Sequence, residues 1–149
     1  MGDATATARH AIEEVCSGRR PEELAQCYAP SFVDHVNTME FHGHEGARRS
    51  VGLYQRLFDD LEFVVEQQVS EGDRVATHWT MSGRHRGRRV HLPGITISRF
   101  EDGLIVEDWS YSDSIEIAKQ LGVWRSLLLV ATEWRTLFKA QAGGRGSPS

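Results

Sequence analysis

The chain has 149 residues, 40% of them hydrophobic and 26% charged, with a formal net charge of −4. This size and composition are typical of one globular domain, expected at residues 1–142, followed by a disordered tail at 143–149. The charge gives no reason to expect nucleic acid as a partner. No apolar run is long enough for a membrane span or a signal core, and Cys16 and Cys27 lack metal-ligand spacing, so we expect a cytoplasmic protein.

Two short helices are predicted at the start of the chain. Residues 4–16 are rich in alanine and apolar along one face, and Gly18 ends this helix. A second helix begins at Pro21, because the first helical turn tolerates proline, and it ends at Pro30. Both helices carry an apolar stripe that needs a surface to cover it.

An extended segment, residues 31–36, changes from apolar to titratable residues at Asp34 and His35. A third helix is predicted from about Glu45 to Asp60, because apolar residues recur there at spacings of three and four. These residues are Val51, Tyr54, Leu57, Phe58 and Leu61.

The period then falls to two, which predicts strands. Four strands are expected, at residues 63–69, 75–83, 90–100 and 104–112. Short turns join them, so their sheet is expected to be antiparallel, and Pro93-Gly94 indicates a bend in it.

Two more helices close the predicted layout, Ser114 to Leu121 and roughly Trp124 to Ala140. Helices, a strand meander and further helices together indicate an α+β fold. The broad apolar stripe of the last helix needs a partner surface, either the edge of the sheet or a second subunit.

The strand at 104–112 differs from a strand built only for packing. Its apolar start gives way to acidic, aromatic and hydroxyl residues, a change typical of a strand whose far end lines a cavity. On an alternating strand, Asp108 shares a face with Ser110, while Glu107 and Trp109 take the other face.

Three segments resemble the SnoaL-like polyketide cyclase family, within the nuclear transport factor 2-like superfamily. They are Phe32-Val33-Asp34-His35, the strand end Ser82-Gly83-Arg84-His85-Arg86-Gly87, and the string from Asp102-Gly103 through Glu107-Asp108-Trp109 and Asp113 to Gln120-Leu121-Gly122. The resemblance covers roughly residues 8 to 122. It implies a cone-shaped, curved antiparallel sheet packed on the N-terminal helices, a deep apolar cavity, and neither a metal nor an organic cofactor.

Family cyclases close a polyketide ring by an intramolecular aldol reaction with an Asp acid/base and a pocket His. These positions fall on Ser110 and Thr96 here, and neither hydroxyl exchanges protons near neutral pH. The chain therefore looks closer to a second branch, which hydroxylates an anthracycline ring together with an NADPH-dependent reductase. We expect that function, with aldol cyclase and non-enzymatic ligand-binding module as alternatives.

Asp108 is the first candidate for proton transfer, assisted by Asp34 with His35. Asp108 could instead be an exposed acid or pair with an arginine, and Asp34 could begin a loop beside a solvated His35. The residues expected to bind the substrate are His78, Thr80, Ser82, Thr96, Trp109, Ser110, Tyr54 and Phe58. The row of His78, Thr80 and Ser82 either lines the cavity or faces water, and a core role is favoured for Trp109.

The expected partners are a polycyclic aromatic small molecule, the reductase, and a second copy of the chain in a homodimer. Seven histidines raise the question of a metal site. His42 and His44 lie two apart in a predicted loop, which does not make a metal-binding pair. The chain also lacks a phosphate-binding glycine loop and a nucleophile motif, so neither nucleotide binding nor covalent catalysis is expected.

Overall fold

The computed structural model describes residues 3–122 and residue 131. One compact unit ends at Asp113, and a second begins at Ser114. Apart from residue 131, the helix predicted at 124–140 lies outside the described residues, as does the tail at 143–149. The assignment of residues 1–142 to one domain stays a prediction. Within the described part of the chain, no helix is long and apolar enough to cross a membrane.

Four α-helices are present in the described residues: α1 (Ala4–His10), α2 (Leu24–Cys27), α3 (Gly43–Leu57) and α4 (Ser114–Leu121). Helix α1 continues as a π-helical segment, Ala11–Cys16, and a 3-10 turn, Pro21–Glu23, precedes α2. Helix α3 ends before the predicted Asp60. Phe58 has extended backbone angles, and its N–H bonds to the Tyr54 carbonyl as the helix closes.

Six strands form one curved, open sheet. They are β1 (Tyr28–Val36), β2 (Met39–His42), β3 (Asp59–Glu71), β4 (Arg74–His85), β5 (Arg88–Glu101) and β6 (Leu104–Ser112). Their order across the sheet is β2-β1-β6-β5-β4-β3. The predicted meander is confirmed as β3 to β6, and the predicted extended segment lies within β1. The α+β prediction is therefore confirmed.

Strands β1 and β6 pair in parallel, which corrects the expectation of a wholly antiparallel sheet. The short-turn argument holds for consecutive strands, and these two lie far apart in sequence. In their register Asp34 is the partner of Asp108, and Val36 is the partner of Ser110. The parallel pair therefore places the ends of two acid-bearing strands side by side.

A bulge between β5 and β6 decides which β6 residues face inward. Arg99 pairs with Glu107, but the next residue, Phe100, pairs with Ile105, so Val106 is the extra residue. Simple alternation would put Ile105 and Asp108 on opposite faces. Because the bulge shifts the alternation by one, both side chains are buried.

The core lies between the N-terminal helices and the inner face of the sheet. Its central cluster is Ala8, Ala11, Val15, Leu24, Cys27, Tyr28, Phe32, Ala47, Val75, Phe100 and Ile105. These include the apolar stripes predicted for the first two helices, so burial in this core stabilises those helices against the sheet. The inner face becomes polar beyond this cluster, towards Asp34 and Asp108.

Candidate functional site

Two carboxyl groups meet on the inner face of the sheet. Asp34 on β1 and Asp108 on β6 are register partners across the parallel pair, on strands that lie roughly 5 Å apart. They are 7% and 4% exposed. Carboxylates are rarely buried to this degree without a cation beside them, so the pair is the most unusual chemical feature of the inner face.

Burial dominates the electrostatics of Asp34 and raises its pKa to about 6. Two smaller effects oppose the burial. The Ser50 hydroxyl donates to Asp34 Oδ2 over 2.6 Å, and a charge on His35 also favours the carboxylate. Asp34 is therefore ionised at neutral pH, with a pKa near enough to that pH for it to accept and release protons.

Burial also raises the pKa of Asp108 well above its usual value, and the charge of Asp34 raises it further. A hydrogen bond from Ser98, its register partner on β5, opposes these effects. Asp108 Oδ1 has no hydrogen-bond partner among the described residues. The two carboxyl groups titrate as a coupled pair, and the charge of Asp34 favours the protonated form of Asp108.

The pair faces a cavity with apolar walls. The residues around it are Ile12, Cys16, Tyr28, Asp34, Val36, Ala47, Ser50, Val51, Tyr54, Phe63, Trp79, Thr96, Asp108 and Ser110. The cavity has a volume of about 50 Å³, and about 550 Å³ of empty space is present when the part open to solvent is included. The narrow inner part has room for a few waters or for one end of an organic molecule.

Hydroxyl groups lie on two sides of the cavity. The Trp79 indole N–H donates to Thr96 Oγ1 over 2.9 Å, and Thr96 Oγ1 lies 2.9 Å from Ser110 Oγ. On another side, the Tyr28 hydroxyl bonds to Cys16, and burial raises the pKa values of both groups. Burial likewise raises the pKa of Tyr54 to about 12, so this hydroxyl keeps its proton at neutral pH.

Five of the predicted site residues therefore come together around the cavity: Asp34, Asp108, Thr96, Ser110 and Tyr54. Ser110 and Thr96, which the resemblance aligned with a catalytic acid and a histidine, form part of a hydrogen-bonded chain. Asp108 lies two residues before Ser110 on β6 and lines the same cavity.

His35 and Trp109 lie on the opposite face of the sheet from the cavity. Their rings stack with centroids 5.5 Å apart, and His35 Nε2 lies 2.9 Å from Glu107 Oε1. The Arg74 guanidinium covers the Trp109 ring at 5.3 Å. Odd-numbered residues of β1 point outward at this level, so His35 affects Asp34 through its charge and not through direct contact.

The remaining predicted binding residues also lie away from the cavity. Burial alternates along β4, and its inward residues include Trp79 and Met81, so His78, Thr80 and Ser82 point to the outer face. His78 borders a shallow outer depression with Ile95 and Tyr111. Phe58 is buried, but its ring packs edge-on against His85.

Sequence reasoning missed three polar neighbours of the acid pair: Ser50, Ser98 and Tyr28. Ser50 belongs to the buried side of α3, and a serine within an apolar helical stripe was the available signal. Ser98 lies beside Asp108 only because of the register between β5 and β6, which the sequence does not reveal. Tyr28 begins β1, whereas the sequence predicted a helix there. In the described ranges, no cluster of three or more His, Cys, Asp or Glu residues has metal-binding geometry.

A sequence model of the SnoaL-like polyketide cyclase family matches residues 6–121. IdmH from Streptomyces antibioticus, provisionally assigned as a polyketide cyclase, is 26% identical, with a TM-score of 0.72 over 80% of this chain and 99% of its own. AclR from Streptomyces galilaeus, provisionally assigned as a hydroxylase, is 21% identical (TM-score 0.68; 82% of this chain and 97% of its own).

A protein of ketosteroid isomerase-like fold from Catenulispora acidiphila is 15% identical, with a TM-score of 0.68 over 80% of this chain and 92% of its own. At these identities, the second and third structures are similar in fold alone. No match was found among curated proteins.

Proposed function

Because the chain belongs to the SnoaL-like polyketide cyclase family, we propose that it closes a carbon ring of an aromatic polyketide by an intramolecular aldol reaction. The observation that carries this proposal is the buried pair of Asp34 and Asp108, two adjacent carboxyl groups with raised pKa values that line an apolar cavity. An aldol reaction needs a base and an acid in the same site, and this pair supplies both.

In the proposed reaction, the Asp34 carboxylate removes a proton from a carbon next to a substrate carbonyl. The carbanion attacks a ketone in the same molecule, a carbon–carbon bond forms, and the ketone oxygen takes the proton of Asp108. The pair begins and ends with one negative charge, first on Asp34 and then on Asp108. Proton exchange between the two groups, or through water, restores the starting state.

The apolar walls support this assignment of roles. They exclude bulk water from the carbanion, and they are the reason for the raised pKa values that keep one proton on the pair. The match to IdmH at 26% identity, over 99% of that chain, also favours cyclase chemistry. The narrow inner cavity suits a substrate that enters by one end, with its remaining rings outside.

The proton-abstraction step can be measured without the natural substrate. We expect the protein to speed exchange of the acidic C1 hydrogens of 2-tetralone with D2O, followed by NMR. Asp34→Asn removes the base, so exchange is expected to fall by about a hundredfold or more. Asp59→Asn changes an exposed carboxylate on β3 and serves as the matched control, with unchanged exchange.

Ring closure itself needs an anthraquinone methyl ester whose activated methylene can attack a side-chain ketone. Incubation without oxygen or reductant is expected to give the closed ring faster with the protein than without it, and Asp108→Asn is expected to slow closure. Tight binding of this ester without either exchange or closure would refute the proposal and favour a ligand-binding module.

Hydroxylation together with an NADPH-dependent reductase is the second candidate, and the pKa of Asp34, about 6, is the observation that favours it. A carboxylate base in an apolar cavity can deprotonate a hydroquinone, which then reacts with oxygen. One oxygen atom enters the ring, the other leaves as water, and NADPH supplies two electrons. This reaction requires air, the reductase and NADPH together, so the same incubations distinguish the two candidates.

A further inference from the structure

We propose that Ser110 donates a hydrogen bond to the carbonyl oxygen of the substrate, and that Thr96 and Trp79 hold it in the donating orientation. This inference deepens the proposed function and rests on its premise that the substrate is a ketone. It makes Ser110 a binding group for the oxygen on which negative charge develops, and Thr96 and Trp79 positioning residues.

The direction of the hydrogen-bonded chain follows from what each group can do. The Trp79 indole nitrogen only donates, so Thr96 Oγ1 is the acceptor of this 2.9 Å bond. Thr96 is 2% exposed, and its hydroxyl has one hydrogen to give. Within the described contacts, the other oxygen in reach is Ser110 Oγ at 2.9 Å. Either hydroxyl can donate in this contact, and we assign Thr96 as the donor because a buried hydroxyl hydrogen almost always has an acceptor.

Ser110 Oγ is then an acceptor in this bond, and its own hydrogen is left for another partner. Ser110 is half-buried and lines the cavity, two residues from Asp108 on the same face of β6. A ligand that enters the cavity can therefore accept this hydrogen. Asp108 Oδ1, without a partner among the described residues, faces the same cavity.

A chain of this kind strengthens its last donor. Each bond in a buried series polarises the next one, and the apolar walls reduce the competition from water. The backbone also fixes the chain, because Thr96 and Ser110 are register partners on β5 and β6, and Asn37 N–H bonds to the Ser110 carbonyl over 3.0 Å. Preorganised donors aimed at a developing oxyanion typically contribute about 10²-fold or more to kcat.

The site thus holds a base, an acid and a neutral donor, and it suits an enolisable ketone more than a carboxylate. Two features disfavour a carboxylate ligand: Asp34 is already ionised at neutral pH, and none of the described residues that line the cavity is Lys, Arg or His. A ketone oxygen accepts the Ser110 hydrogen without adding charge to the buried site.

The test is the infrared carbonyl stretch of 2-tetralone labelled with 13C at its carbonyl, bound to the protein. A hydrogen bond to the oxygen lowers this frequency, so we expect a lower frequency on the wild-type protein than on Ser110→Ala. Thr96→Val removes the hydroxyl that orients Ser110 and should give an intermediate frequency, while Thr96→Ser keeps a hydroxyl and should restore the wild-type value.

Thr77→Val is the matched control. Thr77 is the register partner of Thr96 on β4 and is 1% exposed, but its hydroxyl accepts from Gln68 and it does not line the cavity. The same loss of a buried threonine hydroxyl should leave the carbonyl frequency unchanged. Circular dichroism checks that each variant is folded before the spectra are compared.

In exchange assays, Ser110→Ala should lower kcat for 2-tetralone by about tenfold to a hundredfold, with a smaller change in KM, because the bond strengthens as charge develops. An unchanged carbonyl frequency in Ser110→Ala with the ketone still bound would overturn the proposal. So would failure of 2-tetralone to bind to the wild-type protein. A lowered frequency without any deuterium exchange would instead refute the acid–base function and leave Ser110 as the carbonyl donor.

Discussion

Ser50 controls the charge of the proposed base more directly than any other described side chain. Its hydroxyl donates to Asp34 Oδ2, and this bond favours the ionised form of Asp34. Without this bond, only the charge on His35 opposes the effect of burial, and the pKa of Asp34 rises further. Ser50 lies within α3, and alanine is the residue that most favours a helix interior, so this position should tolerate alanine.

We therefore expect the exchange rate of the wild-type protein to rise with pH through about 6, as Asp34 ionises. In Ser50→Ala the rise should move to higher pH by about one unit, because the lost bond favoured the carboxylate. Exchange rates measured from pH 4.5 to 8.5 give both curves. Ser31→Ala, at an exposed serine, is the control, and identical curves for wild type and Ser50→Ala would contradict this role.

The buried acid also lowers the stability of the fold at neutral pH. Asp34 has a higher pKa in the folded protein than its ordinary value of 3.8, so between these values the folded state binds more protons than the unfolded state. The free energy of unfolding then falls as pH rises through about 6.

Asp34→Asn removes this ionisation and should stabilise the protein at pH 7.5 by up to about 3 kcal/mol, with much less gain at pH 4. Urea unfolding at the two pH values measures the difference. Asp59→Asn, at an exposed acid, should show no such pH dependence. An equal gain at both pH values would mean that the amide acts through packing and not through the lost charge.

At the scale of the element, β5 approaches β4 closely at one glycine. Trp79 and Gly94 are register partners, and a methyl group built on Gly94 would overlap the Trp79 indole ring. The ring also packs edge-on against Phe63, with centroids 5.1 Å apart. The predicted bend at Pro93-Gly94 therefore has a further physical reason: the missing side chain makes room for the indole that lines the cavity.

Gly94→Ala should force the indole aside and destabilise the protein by about 3 kcal/mol or more, at the upper end of overpacking effects. Thermal unfolding measures this loss, and tryptophan fluorescence reports the displaced ring. Gly52→Ala is a control of opposite sign. Its methyl group meets the flexible end of Arg56, and alanine favours a helix interior by about 0.5–1 kcal/mol, so this variant should be more stable. If Gly94→Ala and Gly52→Ala changed the stability equally, the close approach of Gly94 to the Trp79 ring would be contradicted.

The sequence predicted most elements but not their pairing. Periods of three to four and of two located α3 and the four meander strands, because each pattern depends on a local choice of buried face. The parallel pairing of β1 with β6 has no local signal. Asp34 and Asp108 were both predicted as proton-transfer residues, but their adjacency follows from that pairing. The outward direction of His35 follows instead from the alternation of side chains along β1.

At the scale of the whole molecule, the size of the cavity limits the substrate. A cavity of about 50 Å³ admits only the reacting end of a molecule. The residues that line it belong to α3 as well as to the sheet. Val51 is a half-buried residue of α3 that lines the cavity. Replacing it with alanine should keep the helix and widen the cavity.

Val51→Ala should raise kcat/KM for the three-ring benzo homologue of 2-tetralone more than for 2-tetralone itself. We expect the ratio of kcat/KM for the three-ring ketone to kcat/KM for 2-tetralone to rise by about tenfold. A change of this size corresponds to room for roughly one or two more methylene groups in the cavity. Val64→Ala, at a valine of the outer face that is 42% exposed, removes the same atoms away from the cavity and should leave the ratio unchanged. If Val51→Ala left the ratio of the two kcat/KM values unchanged, the bound substrate would not contact this part of α3.

The parallel contact between β1 and β6 also has a consequence for how the protein is made. During translation β1 emerges early. Its parallel neighbour, β6, becomes available only after β3, β4 and β5 have left the ribosome. Until then Asp34 stays hydrated and ionised, and the cavity that both acids line cannot form in any nascent chain that ends before Asp108. We therefore expect the burial of both acids to be a late step of folding, because it depends on the strand pairing with the largest sequence separation in the sheet.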